Sequence, residues 1–173
     1  MRRNEDESIN ILAKIIIVCA GLILGFAVCR IFIIPFSMTD SSMDGSVPKG
    51  SKILLLRFGK VKTGDIVLVR HPDDSGKFLL KRIVASSGDM VEIRNKVLYI
   101  NDQRSGLNIY GKFLDERNLP LSFTDRDTMT VVKLEKDEYF LMGDNRDRSY
   151  DSRETMVFTG SMIKGKLLYM FKF

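Results

Sequence analysis

The sequence predicts a mainly β fold, an antiparallel coiled-sheet or barrel-like domain preceded by one N-terminal transmembrane helix. One apolar run near the N-terminus is long enough to cross a membrane. From about residue 37 onward, short runs rich in β-branched residues alternate with turn formers. Outside the apolar run, no stretch has a convincing apolar period of 3.6 residues. A length of 173 residues suits one membrane segment and one compact domain.

The first elements are a short tail, residues 1–10, and a transmembrane anchor, residues 11–34. The run from Ile9 to Phe36 is apolar apart from a few residues, chiefly Asn10, Lys14 and Arg30. With its ends included it reaches the ~20 residues that cross ~30 Å of hydrocarbon. Lys14 and Arg30 stand where their long stems can extend to the two interfaces.

A cleaved signal peptide is the alternative interpretation of this segment. Its apolar region is longer than the ~7–15 residues typical of such peptides, and no small-x-small cleavage site follows. Arg2 and Arg3 run into three acidic residues, 5–7, which is unlike an export signal. Cys19 and Cys29 lie inside the span and suit packing as small apolar groups, so disulfides give no information about compartment.

The remaining chain, residues 37–173, is predicted to form the β-rich domain. Its strands are predicted at 52–58, 65–69, 78–85, 90–93, 96–100, 128–133, 139–142 and 166–171. Turn signals separate them, for example at 62–64, 71–76, 86–88 and 101–102. Residues 102–127 are polar and weakly patterned, which predicts a variable insertion or long loop.

The net charge and the distribution of basic residues indicate what kind of partner the protein binds. The net charge of +5 suits a domain that rests near an anionic membrane surface. The basic residues are scattered and form no stripe interleaved with aromatics, which argues against nucleic-acid binding. Basic residues near the two ends of the anchor are balanced, so charge alone does not set the orientation. They are Arg2, Arg3 and Lys14 on one side and Arg30, Lys49 and Lys52 on the other.

One segment, residues 143–153, indicates a functional site. It reads Gly-Asp-Asn-Arg-Asp-Arg-Ser-Tyr-Asp-Ser-Arg and follows an apolar strand. A packed core cannot accept so many charges unless they pair with one another or with something brought to them. From Asp147 it begins like a calcium loop, but Ser152 replaces the required glycine and Phe158 the required glutamate. No metal is therefore predicted there.

Histidine chemistry is not predicted either. His71 is the only histidine, in a His-Pro-Asp-Asp turn at a strand end, and a Ser-His-Asp triad would have to use it. A solvent-exposed turn histidine is the favoured interpretation. One histidine and no usable cysteine pair also argue against zinc. We expect neither metal nor cofactor.

Lys81 is a candidate base. On a strand it shares a face with Leu79, Ile83 and Ala85, and Arg82 points to the other face. Desolvation by apolar neighbours lowers the pKa of a lysine, which leaves neutral amine for general-base catalysis. The segment alone, however, favours a lysine at a sheet edge whose head reaches water.

Taken together, the segments are more specific than any one of them. Their order is anchor, a Ser-Met loop at 41–50, Gly-Asp-Ile-Val, Lys-Arg-Ile-Val, and Gly-Asp-Asn-Arg-Asp-x-Ser-x-Asp-Ser-Arg. This order resembles the bacterial type I signal peptidases, membrane-bound serine proteases with a Ser/Lys dyad. The match runs from the anchor to about residue 160, and the single anchor is similar to the Gram-positive members.

The resemblance implies a role for each matching residue. Ser42, directly before Met43, matches the nucleophile, because Gly50 lies eight residues on and a strand follows it. Lys81 matches the general base, and Ser149 the serine that hydrogen-bonds and orients it. The family's ionic cluster matches Asp151, Arg153 and Arg82. Asp144 and Asn145 are expected to shape the loop of residues 143–153.

Ser37 with Met38 is a rival Ser-Met pair. Gly45 lies eight residues after Ser37, but Ser-Val-Pro follows it and no strand. Two positions depart from the family pattern. Gly45 replaces a common proline. Asp40 stands where a serine or glycine helps to build the oxyanion hole, and a carboxylate aimed at the oxyanion would oppose catalysis. Either Asp40 points away or a local shift brings Ser41 into play, and in both cases the backbone N–H of Ser42 is expected to donate.

The resemblance further implies the substrate and the location. The enzyme removes signal peptides from exported preproteins through an acyl-enzyme, with small residues at the first and third positions before the cut. The cleavage segment adds as a β-strand, close to the lipid bilayer. The N-terminus is expected in the cytoplasm and the catalytic domain, 37–173, outside it. Two alternatives are a weakly active factor in pilus or surface-protein assembly and a self-cleaving Ser/Lys repressor.

Overall fold

The computed structural model describes residues 2–106, 117 and 126–171. Two helices and eleven strands make up this part of the chain. The helices are α1 Arg2–Phe32 and α2 Ser152–Thr155, and a single 3-10 turn covers Gly160–Met162. The strands are β1 Ile33–Ser37, β2 Lys52–Leu56, β3 Ile66–Arg70, β4 Phe78–Ser86, β5 Met90–Arg94, β6 Val97–Ile100, β7 Gln103–Arg104, β8 Met129–Lys133, β9 Glu138–Met142, β10 Phe158–Thr159 and β11 Ile163–Phe171.

Helix α1 contains the predicted anchor. Its stretch Ala13–Phe32 has 20 residues, a mean hydropathy of 2.6 and no buried residue, so it is long and apolar enough to cross a membrane. The helix ends at Phe32, two residues before the predicted boundary at 34. Pro35 explains the difference, because a proline disfavours helical geometry at the residue before it, here Ile34.

Strand β1 was missing from the predicted strands. It pairs antiparallel with β2, from Ile33 opposite Leu56 to Ser37 opposite Lys52. Pro35 is tolerated because β1 is the edge strand, where a missing N–H interrupts no ladder. The sheet therefore begins four residues before the predicted domain boundary at 37 and follows the helix directly.

The strands form two sheets, and the described pairs are all antiparallel. The larger sheet has seven strands in the order β1-β2-β11-β3-β4-β9-β10, and the smaller has four in the order β7-β6-β5-β8. The mainly β, antiparallel prediction is confirmed. All eight predicted strands are present with ends within three residues, and β1, β7 and β10 were missed.

Tight turns build the smaller sheet. Asn95 and Lys96 connect β5 to β6 with φ values of 48° and 67°, and Asn101 and Asp102 connect β6 to β7 with 53° and 64°. Two left-handed residues in a row suit the twist of a hairpin. Gln103–Arg104 lies within the predicted insertion and forms β7. Most of the rest of 102–127 lies outside the described residues.

Three apolar clusters hold the two sheets and the loops. Met38, Met43 and Val47 of the loop after β1 pack on the inner residues of β2, β3 and β4. A second cluster joins β3, β4, β9 and Phe158. The third packs the smaller sheet on the ends of β4 and β9. Strands β4 and β9 are neighbours, so the loop that follows β9 reaches the side chains of β4.

Candidate active site

Ser42 and Lys81 meet in the protein interior. The ammonium Nζ of Lys81 donates a hydrogen bond to the Ser42 hydroxyl oxygen at 2.7 Å. The two residues are 39 positions apart in sequence, and only 4% and 1% of their surfaces are exposed. A hydroxyl and an amine at this distance are placed for direct proton transfer. Sequence reasoning had named both residues, and the fold brings them together.

The strand alternation of β4 puts Lys81 on an apolar face. Lys81 lies opposite Val67 of β3, and directly opposed residues share a face. Val67 packs with Leu79 and Ile83, as the alternation predicted. The prediction was wrong for Ala85, which packs in the cluster under the smaller sheet. A register shift between Ile83 and Ala85 is the reason, since an extra residue reverses the face.

Burial changes the acid-base behaviour of Lys81. Loss of solvent lowers the pKa of its ammonium, and this is the largest effect. The carboxylates of Asp151 and Asp40 act in the opposite direction and raise the pKa, as Glu154 does. The Arg153 guanidinium lowers it further. The net result is a pKa below the ordinary value of 10.5.

The loop that carries Ser42, residues 38–51, is called the nucleophile loop below. It leaves β1 and returns to β2, and backbone bonds from Met38 N–H to Ser51 O and from Gly50 N–H to Met38 O close its base. Gly45 has a φ of 110°, in the left-handed region. A proline is fixed near −65°, so the family's proline does not fit this path. Gly45 is therefore required by the loop conformation.

The loop of residues 143–153, called the support loop below, is organised around Asp151. This carboxylate is fully buried and accepts the Arg153 guanidinium at 2.9 and 3.0 Å. It also accepts the Gly143 N–H at 2.9 Å and the Ser149 hydroxyl at 2.6 Å. Ser152 Oγ accepts the Leu141 N–H at 2.9 Å. These side chains satisfy the β9 edge beyond the end of the two-residue β10.

Asp144 is the partner of Arg82. The guanidinium donates to both carboxylate oxygens, at 2.9 and 2.7 Å, and Asp144 is 1% exposed. Arg82 also donates to the Gly64 carbonyl at 2.7 Å and to the Ser46 hydroxyl at 3.0 Å. The resemblance grouped Arg82 with the Asp151 pair. The structure instead contains two separate ion pairs, because Arg82 points to the face opposite Lys81.

The Ser149 side chain lies close to the Ser42 backbone, and its hydroxyl donates to a carboxylate. Its hydroxyl hydrogen goes to Asp151, and a hydroxyl oxygen keeps lone pairs that can accept from an ammonium. Orientation of Lys81 by Ser149 stays a prediction. Gly143 allows the close approach, since an added Cβ would overlap the Ser149 side chain and lie 2.6 Å from the Ser42 carbonyl oxygen.

Asn145 joins the two loops. Its backbone N–H donates to the Ser42 carbonyl at 2.9 Å, and its side-chain amide donates to the Ser41 carbonyl at 3.0 Å. The sequence indicated only that Asn145 shapes its own loop. The contact across 104 residues depends on the fold, and no local pattern predicts it. Asn145 therefore holds the carbonyl groups of the two peptide bonds that flank Ser42.

The Ser42 backbone N–H has a charged partner. It donates to the Asp40 carboxylate oxygen Oδ1 at 2.8 Å, and Asp40 is exposed. Sequence reasoning had left two possibilities, that Asp40 points away or that Ser41 replaces it. In the structure the carboxylate does not extend away from this segment but turns back onto the backbone amide of Ser42.

The remaining candidates lie apart from the dyad. Ser37 belongs to β1, is exposed and pairs with Lys52. His71 stacks on Tyr150 with ring centroids 4.9 Å apart, and its Nδ1 accepts the Asp73 N–H. Within the part of the chain that the structure describes, no group of three or more His, Cys, Asp or Glu side chains is arranged to hold a metal ion.

Several known proteins are similar to this chain. Signal peptidase I U of Bacillus subtilis strain 168 is 32% identical over 90% of this chain and 81% of its own length. Signal peptidase IB of Staphylococcus aureus strain COL is 27% identical over 94% of this chain and 90% of its own. A solved signal peptidase I from Enterococcus faecalis V583 is 25% identical, with a TM-score of 0.48, over 64% of this chain and 99% of that one.

A family model for signal peptidase, peptidase S26, matches residues 9–171, which is nearly the whole chain. The matched range includes the anchor helix, both loops and the dyad. The chain belongs to the signal peptidase family, peptidase S26.

Proposed function

We propose that Ser42 is the nucleophile and Lys81 the general base of this type I signal peptidase, a serine endopeptidase. The observation that carries the proposal is the 2.7 Å hydrogen bond between their side chains in a buried setting. The apolar face of β4 supports the same assignment, because it lowers the pKa of Lys81. The relatives are named signal peptidase I, so the alternative of a weakly active assembly factor is not favoured.

The reaction follows from the chemistry of the pair. The neutral amine of Lys81 takes the hydroxyl proton as Ser42 Oγ attacks the scissile carbonyl carbon. A tetrahedral intermediate forms, and its collapse breaks the C–N bond while the Lys81 ammonium returns the proton to the leaving amine. Water then attacks the acyl carbon while Lys81 accepts its proton, and a second tetrahedral intermediate forms. Its collapse breaks the bond to Ser42 Oγ, Lys81 returns the proton to that oxygen, and the carboxyl product leaves.

No third acid is needed to prepare this base. An imidazole has two tautomers that a carboxylate must choose between, but an amine has none. The amine needs only to be aimed and kept dry. We infer that the support loop aims it, through the Asp151 hub with Ser149 and Arg153, and that Arg82 and Asp144 fix the same loop from the other face. Met43 anchors the nucleophile in the core.

The substrate is an exported preprotein. We infer small side chains at the first and third positions before the cut and an extended segment that adds beside the sheet. We also infer that α1 crosses the bilayer once, with residues 1–10 in the cytoplasm, residues 11–34 as the anchor and residues 37–173 outside. The bilayer then holds both enzyme and preprotein, which raises their effective concentration.

The test uses the full chain in detergent with a preprotein that carries an Ala-x-Ala site. Ser42→Ala and Lys81→Ala should each lower kcat/KM by at least about 10³-fold, since groups that act as a unit lose activity together. Ser37→Ala and Lys77→Ala are the matched controls and should cut like the wild type. The assignment is wrong if the wild type cuts no better than the two dyad variants.

The pH profile tests the base separately. Lys81 must be neutral to accept a proton, and the neutral fraction grows as pH rises toward its pKa. Because burial lowers the pKa of Lys81 from 10.5, kcat/KM should rise through mildly alkaline pH. A rate that peaks near about pH 5 would exclude an amine as the base.

A further inference from the structure

The Asp40 carboxylate is hydrogen-bonded to the backbone N–H of Ser42, a group that the reaction needs. When Ser42 Oγ bonds to a carbonyl carbon, the oxyanion develops within reach of the backbone N–H of the same residue. That N–H already donates to Asp40 Oδ1 at 2.8 Å. The other side of Ser42 holds the base, with Lys81 Nζ 2.7 Å from Oγ. The Ser42 hydroxyl is thus hydrogen-bonded to its base, while the N–H that would stabilise the oxyanion is already bonded to Asp40.

The two acceptors exclude each other. A backbone N–H carries one hydrogen, so a strong bond to a carboxylate leaves it unavailable to a second anion. A carboxylate at the same place also repels the negative charge that develops on the substrate oxygen. Ser42 can be acylated rapidly only after the Asp40 carboxylate has left the Ser42 N–H.

Asp40 is placed to leave at small cost. The residue is exposed, and among the described residues its carboxylate accepts only the Ser42 N–H. No ion pair with another described residue holds it, in contrast to the buried carboxylates of Asp144 and Asp151. Rotation about its side-chain bonds would expose the carboxylate to water and free the amide.

We propose that the Asp40 carboxylate is a displaceable cap on the Ser42 amide, which keeps the oxyanion donor closed in the free enzyme and restrains acylation. The proposal rests on the assignment of Ser42 as the nucleophile. The cap makes this enzyme slower than its dyad geometry allows. Substrate binding must drive the opening of the cap.

A purely structural role predicts the opposite result. A carboxylate that accepts the N–H two residues on forms an Asx-turn, which can simply shape a loop. Removal of such a turn would loosen the nucleophile loop and lower activity. A cap, by contrast, slows the enzyme, so its removal raises activity. The sign of the change therefore separates the two roles.

The charge on Asp40 has a second, independent consequence. The largest charge effects on Lys81 come from Asp151, Asp40 and Glu154, which raise its pKa, and from Arg153, which lowers it. Loss of the Asp40 charge leaves the other charges in place and lets the pKa of Lys81 fall. The rising limb of the pH–rate profile should then move to lower pH. A loosened loop would instead admit water to Lys81, raise its pKa and move the limb to higher pH.

The experiment measures kcat/KM of the full chain in detergent against the same Ala-x-Ala preprotein, from neutral to alkaline pH. Asp40→Ser and Asp40→Gly remove the carboxylate, and Asp40→Asn keeps an acceptor for the Ser42 N–H without the charge. Asp44→Asn is the matched control, because Asp44 lies in the same loop and accepts the Lys49 N–H at 3.3 Å instead.

Asp40→Ser and Asp40→Gly should raise kcat/KM about tenfold, a part of the ~10²–10³ that a missing oxyanion donor costs. Asp40→Asn should also exceed the wild type, Asp44→Asn should match it, and the rising limb should move to lower pH in the three Asp40 variants. Equal or lower activity in all three, with the wild type cutting well, would overturn the cap. The proposed function fails in a different way, when the wild type cuts no better than Ser42→Ala.

Discussion

The support loop and the nucleophile loop meet at the dyad but differ in the kind of side chain that each one buries. The support loop carries its charges into the interior, where Asp144, Asp151 and Arg153 are each at most 1% exposed. The nucleophile loop buries Met38, Met43 and Val47 and leaves polar residues such as Asp40 at the surface. One loop is fixed by ion pairs and the other by apolar anchors.

Because of this difference, we expect the two loops to have different roles in catalysis. A buried charge without a partner costs several kcal/mol, so the positions of Asp144, Asp151 and Arg153 have few acceptable alternatives. An exposed side chain is under no such constraint. We infer that the support loop sets the geometry of Lys81 and that the nucleophile loop is where the rate of this enzyme is adjusted.

Gly143→Ala should lower catalytic activity more than any other change to the support loop, because at Gly143 the two loops approach each other closely. A Cβ at this position would overlap the Ser149 side chain and lie 2.6 Å from the Ser42 carbonyl oxygen, so a backbone must move. A displacement of about 1 Å at a reacting group costs about 10²-fold in rate. We expect kcat/KM to fall by at least about that factor, measured on the preprotein.

Gly160→Ala is the matched control for that change. Its Cβ would overlap the carboxylate of Asp137, which is a surface side chain that can rotate away, and Gly160 belongs to neither loop. It should keep nearly full activity. If Gly143→Ala cuts as well as Gly160→Ala, the close contact between the loops is not needed for catalysis.

The second prediction compares two buried arginines of the support loop. Arg153→Met leaves the Asp151 carboxylate buried without its cation, and breaking such a pair costs about 3–5 kcal/mol. Arg146 is 4% exposed, contacts the Met142 sulfur and, among the described residues, has no carboxylate at ion-pair distance. Burial lowers the pKa of Arg146 to about 10, a sign of a poorly compensated charge.

Arg146→Met should therefore change the free energy of unfolding by less than about 1 kcal/mol, in either direction. Chemical denaturation of the two variants in the same detergent measures the difference. Equal losses for Arg153→Met and Arg146→Met would mean that the Asp151 pair does not carry the stability of the loop.

The sequence predicted most of the support loop and little of its connections. The density of charges beside an apolar strand indicated that they pair, and the resemblance implied an ionic cluster of Asp151 and Arg153. The partner of Arg82 did not follow, since Asp144 is 62 residues away and only the pairing of β4 with β9 brings it near. The register shift that moves Ala85 to another cluster has no local signal either.

The nucleophile loop was predicted in outline only. The Ser-Met pair and the following strand located Ser42, because a motif needs no knowledge of the backbone path. The bond from the Ser42 N–H to Asp40 depends on the φ and ψ angles of an exposed loop, which side-chain pattern does not determine. Strand β1 was missed because its apolar residues continue those of the anchor, and Pro35 was the only mark of the change.

Tyr150→Phe should have the smallest effect and tests whether the support loop needs help from outside. Tyr150 is exposed, and its hydroxyl donates to Asp73 Oδ2 at 2.8 Å in the turn between β3 and β4. Phenylalanine keeps the ring that stacks on His71 and removes only this exposed hydrogen bond, which contributes less than about 1 kcal/mol. Because Asp151 and Arg153 already fix the loop from within, kcat/KM should change by less than about twofold, an effect well under 1 kcal/mol. A tenfold loss in Tyr150→Phe, with an unchanged midpoint of denaturation, would show instead that the turn positions the loop for catalysis.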